Sequence, residues 1–317
     1  MIVGAGLGGL LLGTLLQRAG GQIIPLFAQL GLDKELLDIA HPVAEFCVYN
    51  DKRELNYTLD FSDLEHLTGH KKHMVARPAL YDLLLKQIPP ERIHRSKRMQ
   101  TKLEADDGII IKMSDGSTYK GDILVGADGA CSTVRRRLFD RLKNEGKLCK
   151  EDREHLPYRS VCLAGQTRTL DSSELSQLNN KSLCDFHAVI GDKRSYTVVM
   201  ATTPHNTKTW TVIRHLDKSS STDLENQRLK NNENTGWGPL DVQVMCDESR
   251  GIAIPGGSGD MTLGDLIDLT PKELISKVML EEKVFETWYS GRTVILGDAA
   301  HKINPSGGRD YGDRCLV

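Results

Sequence analysis

This sequence of 317 residues has no Cys-x-x-Cys pair, no excess of charge of one sign and no hydrophobic run long enough to span a membrane. Its seven Cys are odd in number and widely spaced, and no Cys-x-x-Cys pair occurs. This pattern argues against both a zinc site and a disulfide framework. Reduced thiols are the simple interpretation, so we expect a cytoplasmic protein.

The charges nearly cancel, because 41 Lys and Arg stand against 43 Asp and Glu and leave a net charge of −2. A chain this close to neutral has no long-range field that draws in nucleic acids, which argues against a nucleic-acid partner. The hydrophobic fraction of 39% supports a globular core. The length suits two domains, at roughly 100–200 residues each.

One apolar stretch, residues 1–16, needs separate treatment because it ends at Gln17 and Arg18. A membrane-spanning helix needs about 20 apolar residues, and a signal peptide has basic residues ahead of its apolar part. This stretch meets neither requirement, and it contains five Gly. We therefore expect no membrane anchor and attribute the stretch to a glycine-rich turn.

Gly4, Gly6 and Gly9 form a Gly-x-Gly-x-x-Gly motif between a short apolar strand and an apolar helix. In this context the first Gly permits a tight turn, the second lets the backbone approach a pyrophosphate, and the third lets helix and strand pack closely. The N-terminus of the helix offers free N–H groups to phosphates. The motif predicts a dinucleotide site, and the alternative is a glycine-rich packing turn.

A dinucleotide site also requires a second strand that ends in Asp or Glu, about 20 residues on, to bind a ribose. Here the chain passes from Gly20 and Gly21 directly into residues 22–27 and a predicted helix at 30–39. Asp33 and Glu35 lie near the expected distance but within that helix. The sequence therefore assigns no ribose ligand.

Two further buried strands each end in an acidic residue. Residues 123–125 lead into Gly-Ala-Asp128-Gly, and residues 292–296 lead into Gly-Asp298-Ala-Ala-His. The carboxyl ends of parallel strands face the ligand crevice of a sheet, so both Asp side chains are candidates for ligand binding. Asp128 has an alternative role as the cap of the helix that Ser132 opens.

The remaining segments predict further elements. Arg77 stands between a short strand and a helix at 79–87, where a surface salt bridge is its ordinary role. Residues 158–216 contain several strand-like runs separated by polar turns, which predicts an antiparallel sheet. A helix is predicted at 271–280, with Thr270 as its cap.

Three motifs thus stand in one order along the chain: the glycine motif at 4–9, Gly-Ala-Asp-Gly at 126–129 with Ser132 and Arg135, and Gly-Asp-Ala-Ala-His at 297–301. Together they resemble the FAD-dependent, aromatic-hydroxylase-type (class A) flavoprotein monooxygenases. The stretches 75–80, 156–160 and 282–292 are similar to the fungal salicylate-hydroxylase-like and indole-diterpene-epoxidase-like branch. The resemblance covers nearly the whole chain.

The resemblance implies FAD as the cofactor, NAD(P)H as the co-substrate and O2 as a reactant. The three Gly of the first motif would hold the FAD pyrophosphate, and Arg77 would contact the flavin. Asp128 belongs to a motif linked to both FAD and NAD(P)H. Asp298 would bind the ribityl or pyrophosphate part of FAD, and ribityl hydroxyls suit it because a carboxylate repels phosphate. No residue is implied as catalytic.

The implied reaction uses a flavin hydroperoxide to deliver one oxygen atom from O2 to a small aromatic or isoprenoid substrate, at an aromatic ring or an alkene. The implied fold is α/β (α+β), with a Rossmann-like, three-layer FAD-binding domain and an inserted antiparallel β-sheet substrate domain. We expect the FAD-binding domain at 1–150, with small inserted strands near 41–75. The substrate domain is expected at 151–270, and an incomplete return to the first domain at 271–317.

The sequence departs from this family in three places. The first strand is short, the second strand with its ribose-binding Glu is missing, and the tail after Pro305 lacks a long helix. These departures leave open a non-catalytic remnant that binds a flavin or nucleotide. A dehydrogenase with only a Rossmann domain, or a reductase or halogenase on the same fold, are further alternatives. The Gly297-Asp298 motif argues against the dehydrogenase.

Overall fold

The computed structural model describes residues 1–17, 27, 30–69, 71–154, 158–171, 183–217, 239–255 and 261–303. The described residues fall into two compact units. Within those ranges, the first unit comprises Met1–Leu36, Arg77–Leu156 and Glu282–Ile303, and the second comprises Leu37–Ala76 and Pro157–Glu281. The predicted departures at 20–26 and after Pro305 lie outside the described residues.

The elements are short and are numbered in chain order within the described residues. The strands are β1 (Ile2–Val3), β2 (Ala40–Pro42), β3 (Glu45–Asn50), β4 (Leu55–Asp60), β5 (His73–Val75), β6 (Met99–Ala105), β7 (Gly108–Met113), β8 (Thr118–Gly121), β9 (Leu124–Gly126), β10 (Tyr158–Gln166), β11 (Phe186–Ile190), β12 (Tyr196–Thr202), β13 (Lys208–His215), β14 (Ser276–Glu281), β15 (Lys283–Val284), β16 (Tyr289–Ser290), β17 (Thr293–Ile295) and β18 (His301–Lys302). The α-helices are α1 (Leu7–Gln17), α2 (Asp33–Asp38), α3 (Leu64–Thr68), α4 (Arg77–Leu85), α5 (Thr133–Asn144), α6 (Pro239–Ser249) and α7 (Leu263–Asp268).

The first unit is built on a sheet with the strand order β1-β9-β17-β16. β9 pairs in parallel with both β1 and β17, and its three residues are all buried. α1 packs with α4 through an apolar cluster that contains Leu7, Leu10 and Leu84. A second cluster joins the sheet to α5 and to the meander β6-β7-β8. The continuous burial of β9 explains its unbroken apolar sequence.

The second unit is a seven-stranded sheet with the order β14-β10-β13-β12-β11-β3-β4. α6 and α7 contribute Met245, Leu263 and Leu266 to an apolar core on one face of this sheet, around the buried Trp210. The strands predicted between 158 and 216 correspond to β10, β11, β12 and β13. The sheet is mixed, however, because β3 and β11 run parallel.

The prediction of a helix at 271–280 is wrong. Lys272–Leu274 form a single 3-10 turn, and β14 follows and pairs antiparallel with β10. Thr270 caps nothing there, because its hydroxyl donates to Leu266 O at 2.6 Å and accepts from Trp210 Nε1 at 2.9 Å. Pairing with the buried strand β10 satisfies the backbone of this segment and overrides its helical pattern.

The unit boundaries differ from those expected from the sequence. Residues 37–76, placed within the first domain, belong to the second unit because β3 and β4 extend its sheet. Residues 271–281 also join that unit, through β14. The pairing of β3 with β11 and the pairing of β14 with β10 have no local sequence signal, because each joins segments that lie far apart in the chain.

The described part of the chain contains no helix with the length and apolar character to cross a bilayer. Its six described Cys residues, from Cys47 to Cys246, all carry free thiols.

Candidate functional site

Three parallel strands of the first unit end at the same edge of their sheet. The chain leaves β1 at Gly4, β9 at Ala127 and β17 at Leu296. This shared edge gathers the glycine motif, Asp128 and Asp298, which are far apart in sequence. The carboxyl edge of parallel strands is where such sheets bind ligands.

The glycine turn is closed on two sides and open on the third. Gly4 has a φ of +111°, and a Cβ there would overlap the carbonyl of Ala127. A Cβ on Gly9 would overlap the carbonyl of Gly4. At Gly6, no described atom lies within 4 Å of the position that a Cβ would take.

This cradle suits a phosphate group. Because Gly6 faces open space, a ligand can reach the backbone beside the N-terminus of α1, an 11-residue helix. That helix end carries unpaired N–H groups and a partial positive charge, and it has no acidic residue in its first turn. The residues at the turn therefore fit the pyrophosphate of a dinucleotide such as FAD.

Asp128 caps α5. Its carboxylate accepts hydrogen bonds from Ser132 Oγ at 2.5 Å, from Thr133 N at 2.7 Å and from Val134 N at 3.1 Å. The two backbone N–H groups are otherwise unpaired at a helix start, and Ser132, the N-cap residue, accepts from Arg135 N at 2.9 Å. The capping role considered from the sequence is therefore present, and it holds the Asp128 loop at the ligand edge.

Arg135 connects the loop after β9 to the turn after β17. The side chain is buried, and it donates to Ala130 O at 2.6 Å and to Ala299 O at 2.8 Å. Its guanidinium also lies 4.4 Å from the ring centre of Phe285. Two ligand-facing loops are thus fixed to each other through one buried cation.

Asp298 and Arg77 are both exposed. Asp298 follows Gly297, whose φ is +58°, in a 3-10 turn. Arg77 opens α4, the helix that packs on α1. Within the described residues, neither side chain has a hydrogen bond or an ion pair. Both charged groups are therefore available to a ligand.

A buried charged cluster in the second unit was not anticipated from the sequence. Lys208 is fully buried and donates to Asp185 at 3.0 Å, and His187 Nε2 lies 2.9 Å from the other oxygen of Asp185. Burial by itself would raise the pKa of Asp185, but His187 and Lys208 outweigh it and lower the pKa to about 2. Asp185 and His187 are two residues apart in the chain, but no sequence spacing reveals Lys208, which the sheet brings to them.

No family model matches this chain. It is 29% identical over 301 residues to the FAD-dependent monooxygenase nvfK of Aspergillus novofumigatus, an alignment that covers 92% of this chain and 57% of the relative. It is 26% identical over 339 residues to the FAD-dependent monooxygenase paxM of Penicillium paxilli, covering 98% of this chain and 65% of the relative. The chain thus spans about three fifths of the length of these relatives.

The fold is similar to that of Klebsiella pneumoniae HpxO, solved in complex with FAD and uric acid. The TM-score is 0.70 at 18% identity, over 98% of this chain and 75% of HpxO. This likeness confirms the predicted fold. The alignment with paxM, at 339 residues, is longer than this chain of 317, so the relative carries internal segments that this chain lacks.

Proposed function

Since its sequence and fold are similar to those of FAD-dependent monooxygenases, we propose that this chain binds FAD and inserts one oxygen atom from O2 into a small organic substrate at the expense of NAD(P)H. The observation that carries the proposal is the open glycine turn, which shares one sheet edge with the Asp298 carboxylate, a group without a hydrogen bond or ion pair among the described residues. A phosphate cradle beside a hydroxyl acceptor suits a flavin dinucleotide.

The side chains at this edge take distinct roles in the proposal. The backbone at Gly6 and the N-terminus of α1 receive the pyrophosphate, while Gly4 and Gly9 shape the turn. Asp298 accepts hydrogen bonds from ribityl hydroxyls, since its charge disfavours phosphate. Arg77 contacts the flavin.

Asp128 contributes to the site by holding the loop after β9, because its oxygens already serve the cap of α5. The chemistry supplied by FAD, when bound, is acceptance of a hydride from NAD(P)H and activation of O2. The protein's part is to bind, orient and exclude water, so no side chain is assigned as catalytic.

An aromatic or isoprenoid substrate is supported by an apolar face in the second unit. The rings of Phe46 and Phe186 lie 4.3 Å apart on neighbouring strands. Leu59 pairs with Phe46 across β3 and β4, Tyr57 pairs with Val48, and both β4 side chains are about half exposed. A cytoplasmic location is supported by the free thiols of the described Cys residues.

A titration of the purified chain with FAD tests the proposal. Binding should quench flavin fluorescence, and Asp298→Ala should weaken it about tenfold or more through loss of a charge-assisted hydrogen bond. Asp247→Ala, an exposed carboxylate of the second unit, is the control and should bind FAD as the unchanged chain does. Failure of the unchanged chain to bind FAD would refute the proposal.

A non-catalytic, flavin-binding remnant is the second candidate. The internal segments that are present in paxM and missing here favour it. The two candidates differ in one result, because a remnant binds FAD but does not allow NAD(P)H to reduce it.

A further inference from the structure

A second concave site lies in the first unit, at the opposite edge of the parallel sheet from the glycine turn. It is a cavity of about 810 Å³ between β6, α5 and the turn that joins β16 to β17. That turn, at Gly291 and Arg292, precedes the first residue of β17, whereas Asp298 follows its last. The cavity is therefore separate from the cradle.

Seven charged residues line the cavity, and cations outnumber carboxylates by four to three. The cations are Lys102, Arg137, Arg141 and Arg292, and the carboxylates are Glu104, Asp106 and Glu145. The lining therefore carries one net positive charge, and the hydrogen bonds show which of its donors are already used.

Glu104 is saturated by its own surroundings. One oxygen accepts from Arg292 N at 2.6 Å, and the other accepts from Arg141 Nη1 at 2.6 Å. Burial would raise its pKa, but these donors and the nearby cations hold the pKa below its usual range. Glu104 therefore stays ionised and fully used. Glu145, at the rim, pairs with Lys147 at 2.9 Å.

Lys102 is left without a full counter-charge. Its side chain is 6% exposed, its Nζ donates to the neutral Thr293 hydroxyl at 2.7 Å, and the nearest carboxylate, Glu104, is 3.8 Å away. Burial, followed by the charge of Arg141, lowers the pKa of Lys102 to about 8. Lys102 thus lines the cavity with an ammonium group whose donor capacity is not used up by the bond to Thr293.

One guanidinium group adds further donor capacity. Arg141 adds charge only, because its Nη1 donates to Glu104, its Nη2 donates to the hydroxyl of Ser290 at 3.0 Å, and its Nε lies 3.7 Å from Glu145 Oε1. Arg137 is about half exposed and uses Nε on Gln100 O at 2.9 Å, while its Nη1 lies 3.9 Å from Asp140. Arg292 adds charge only, because its side chain is occupied by the carbonyls of Asp106 and Asp122.

We propose that this cavity binds the phosphate group of a small ligand. Unspent donors on Lys102 and Arg137 come from two different elements, and Arg141 and Arg292 add positive charge, which suits the several oxygens of a tetrahedral dianion. The ligand is either inorganic phosphate or a phosphate monoester such as a nucleotide. The site does not depend on the proposed flavin chemistry, because it shares no residue with the cradle.

The test is calorimetric titration of the purified chain with inorganic phosphate and, separately, with AMP, in a chloride buffer of constant ionic strength. We expect saturable binding of at least one. Tighter binding of AMP identifies a nucleotide as the ligand class, and equal or weaker binding of AMP identifies free phosphate. No saturable binding of either overturns the proposal.

Arg137→Gln should weaken phosphate binding about tenfold, since it removes one charge-assisted contact. It is a mild change for the fold because Arg137 is half exposed. Arg136→Gln is the matched control, because Arg136 is its exposed neighbour on α5 and does not line the cavity. Equal affinity of Arg137→Gln and Arg136→Gln for phosphate overturns the assignment.

The cradle also attracts phosphate, so the titration is repeated in Gly6→Asp, whose carboxylate blocks the turn. Phosphate binding at the second site survives this substitution, and its loss would place the phosphate in the cradle instead. A bound dianion should also raise the pKa of Lys102, which NMR of the lysine Nζ reports. An unchanged pKa in the presence of saturating phosphate would contradict the proposal.

Discussion

Gly6→Ala separates ligand binding from folding more cleanly than any other change in the glycine turn. A methyl group at Gly6 meets no described atom within 4 Å, and the residue is absent from the positions with positive φ. The folded chain can therefore accept Ala without strain. Because Ala restricts the unfolded chain, we expect the free energy of unfolding to stay equal or to rise by about 0.4–1 kcal/mol.

The same methyl group occupies the space through which a pyrophosphate reaches the backbone. Loss of one charge-assisted hydrogen bond costs about 1.5–3 kcal/mol, so FAD affinity should fall about ten- to hundredfold. Flavin fluorescence titration measures the affinity, and urea unfolding followed by circular dichroism measures the stability.

Gly251→Ala is the matched control, because Gly251 also has open space at its Cβ position, has no positive φ and lies in the second unit. It should leave FAD affinity unchanged. If Gly6→Ala binds FAD as tightly as Gly251→Ala does, the assignment of the glycine turn as the pyrophosphate cradle is refuted.

Three further predictions concern stability. Gly9→Ala should destabilise the chain by about 1–3 kcal/mol in urea unfolding, because its methyl group overlaps the Gly4 carbonyl; a stability equal to that of Gly6→Ala would contradict this packing. Arg135→Met should lower the free energy of unfolding by about 3 kcal/mol, because the carbonyls of Ala130 and Ala299 lose their hydrogen-bond donor. Arg136→Met, on the exposed side of α5, should lower it by less than about 0.5 kcal/mol. Similar losses in both variants would exclude the connecting role of Arg135. The pKa of Asp185 is about 2 in the folded chain, against about 3.9 in the unfolded chain, so the stability it adds is present above pH 4 and is lost as the pH falls toward 2. Asp185→Asn should therefore make the free energy of unfolding less dependent on pH in that window. An unchanged pH dependence would argue against the pairing of Asp185 with Lys208 and His187.

The sequence was sufficient to predict the parallel sheet of the first unit because its strands end in recognisable motifs. Buried parallel strands read as short apolar runs, and Gly4, Asp128 and Asp298 each mark a strand end. Their meeting at one edge follows from parallel pairing and needs no knowledge of distant contacts. The alternation of the strands in the 158–216 region was likewise visible in the sequence.

Long-range pairing explains what could not be predicted. β14 looked helical by itself, and only its pairing with β10 makes it a strand. β3 joined the second unit through β11, which lies more than a hundred residues away in the chain. The charged cavity around Lys102 combines a meander strand, a helix and a turn, so no spacing in the sequence points to it.

Reduction of the FAD-loaded chain by NAD(P)H tests whether the chain works as a monooxygenase. The visible absorption band of the bound flavin is followed without oxygen while NADH or NADPH is added, and then air is admitted. We expect the band to be bleached by one of the two nucleotides and to be restored by air. A band that persists in excess NADH and NADPH would contradict the monooxygenase and leave a flavin-binding remnant.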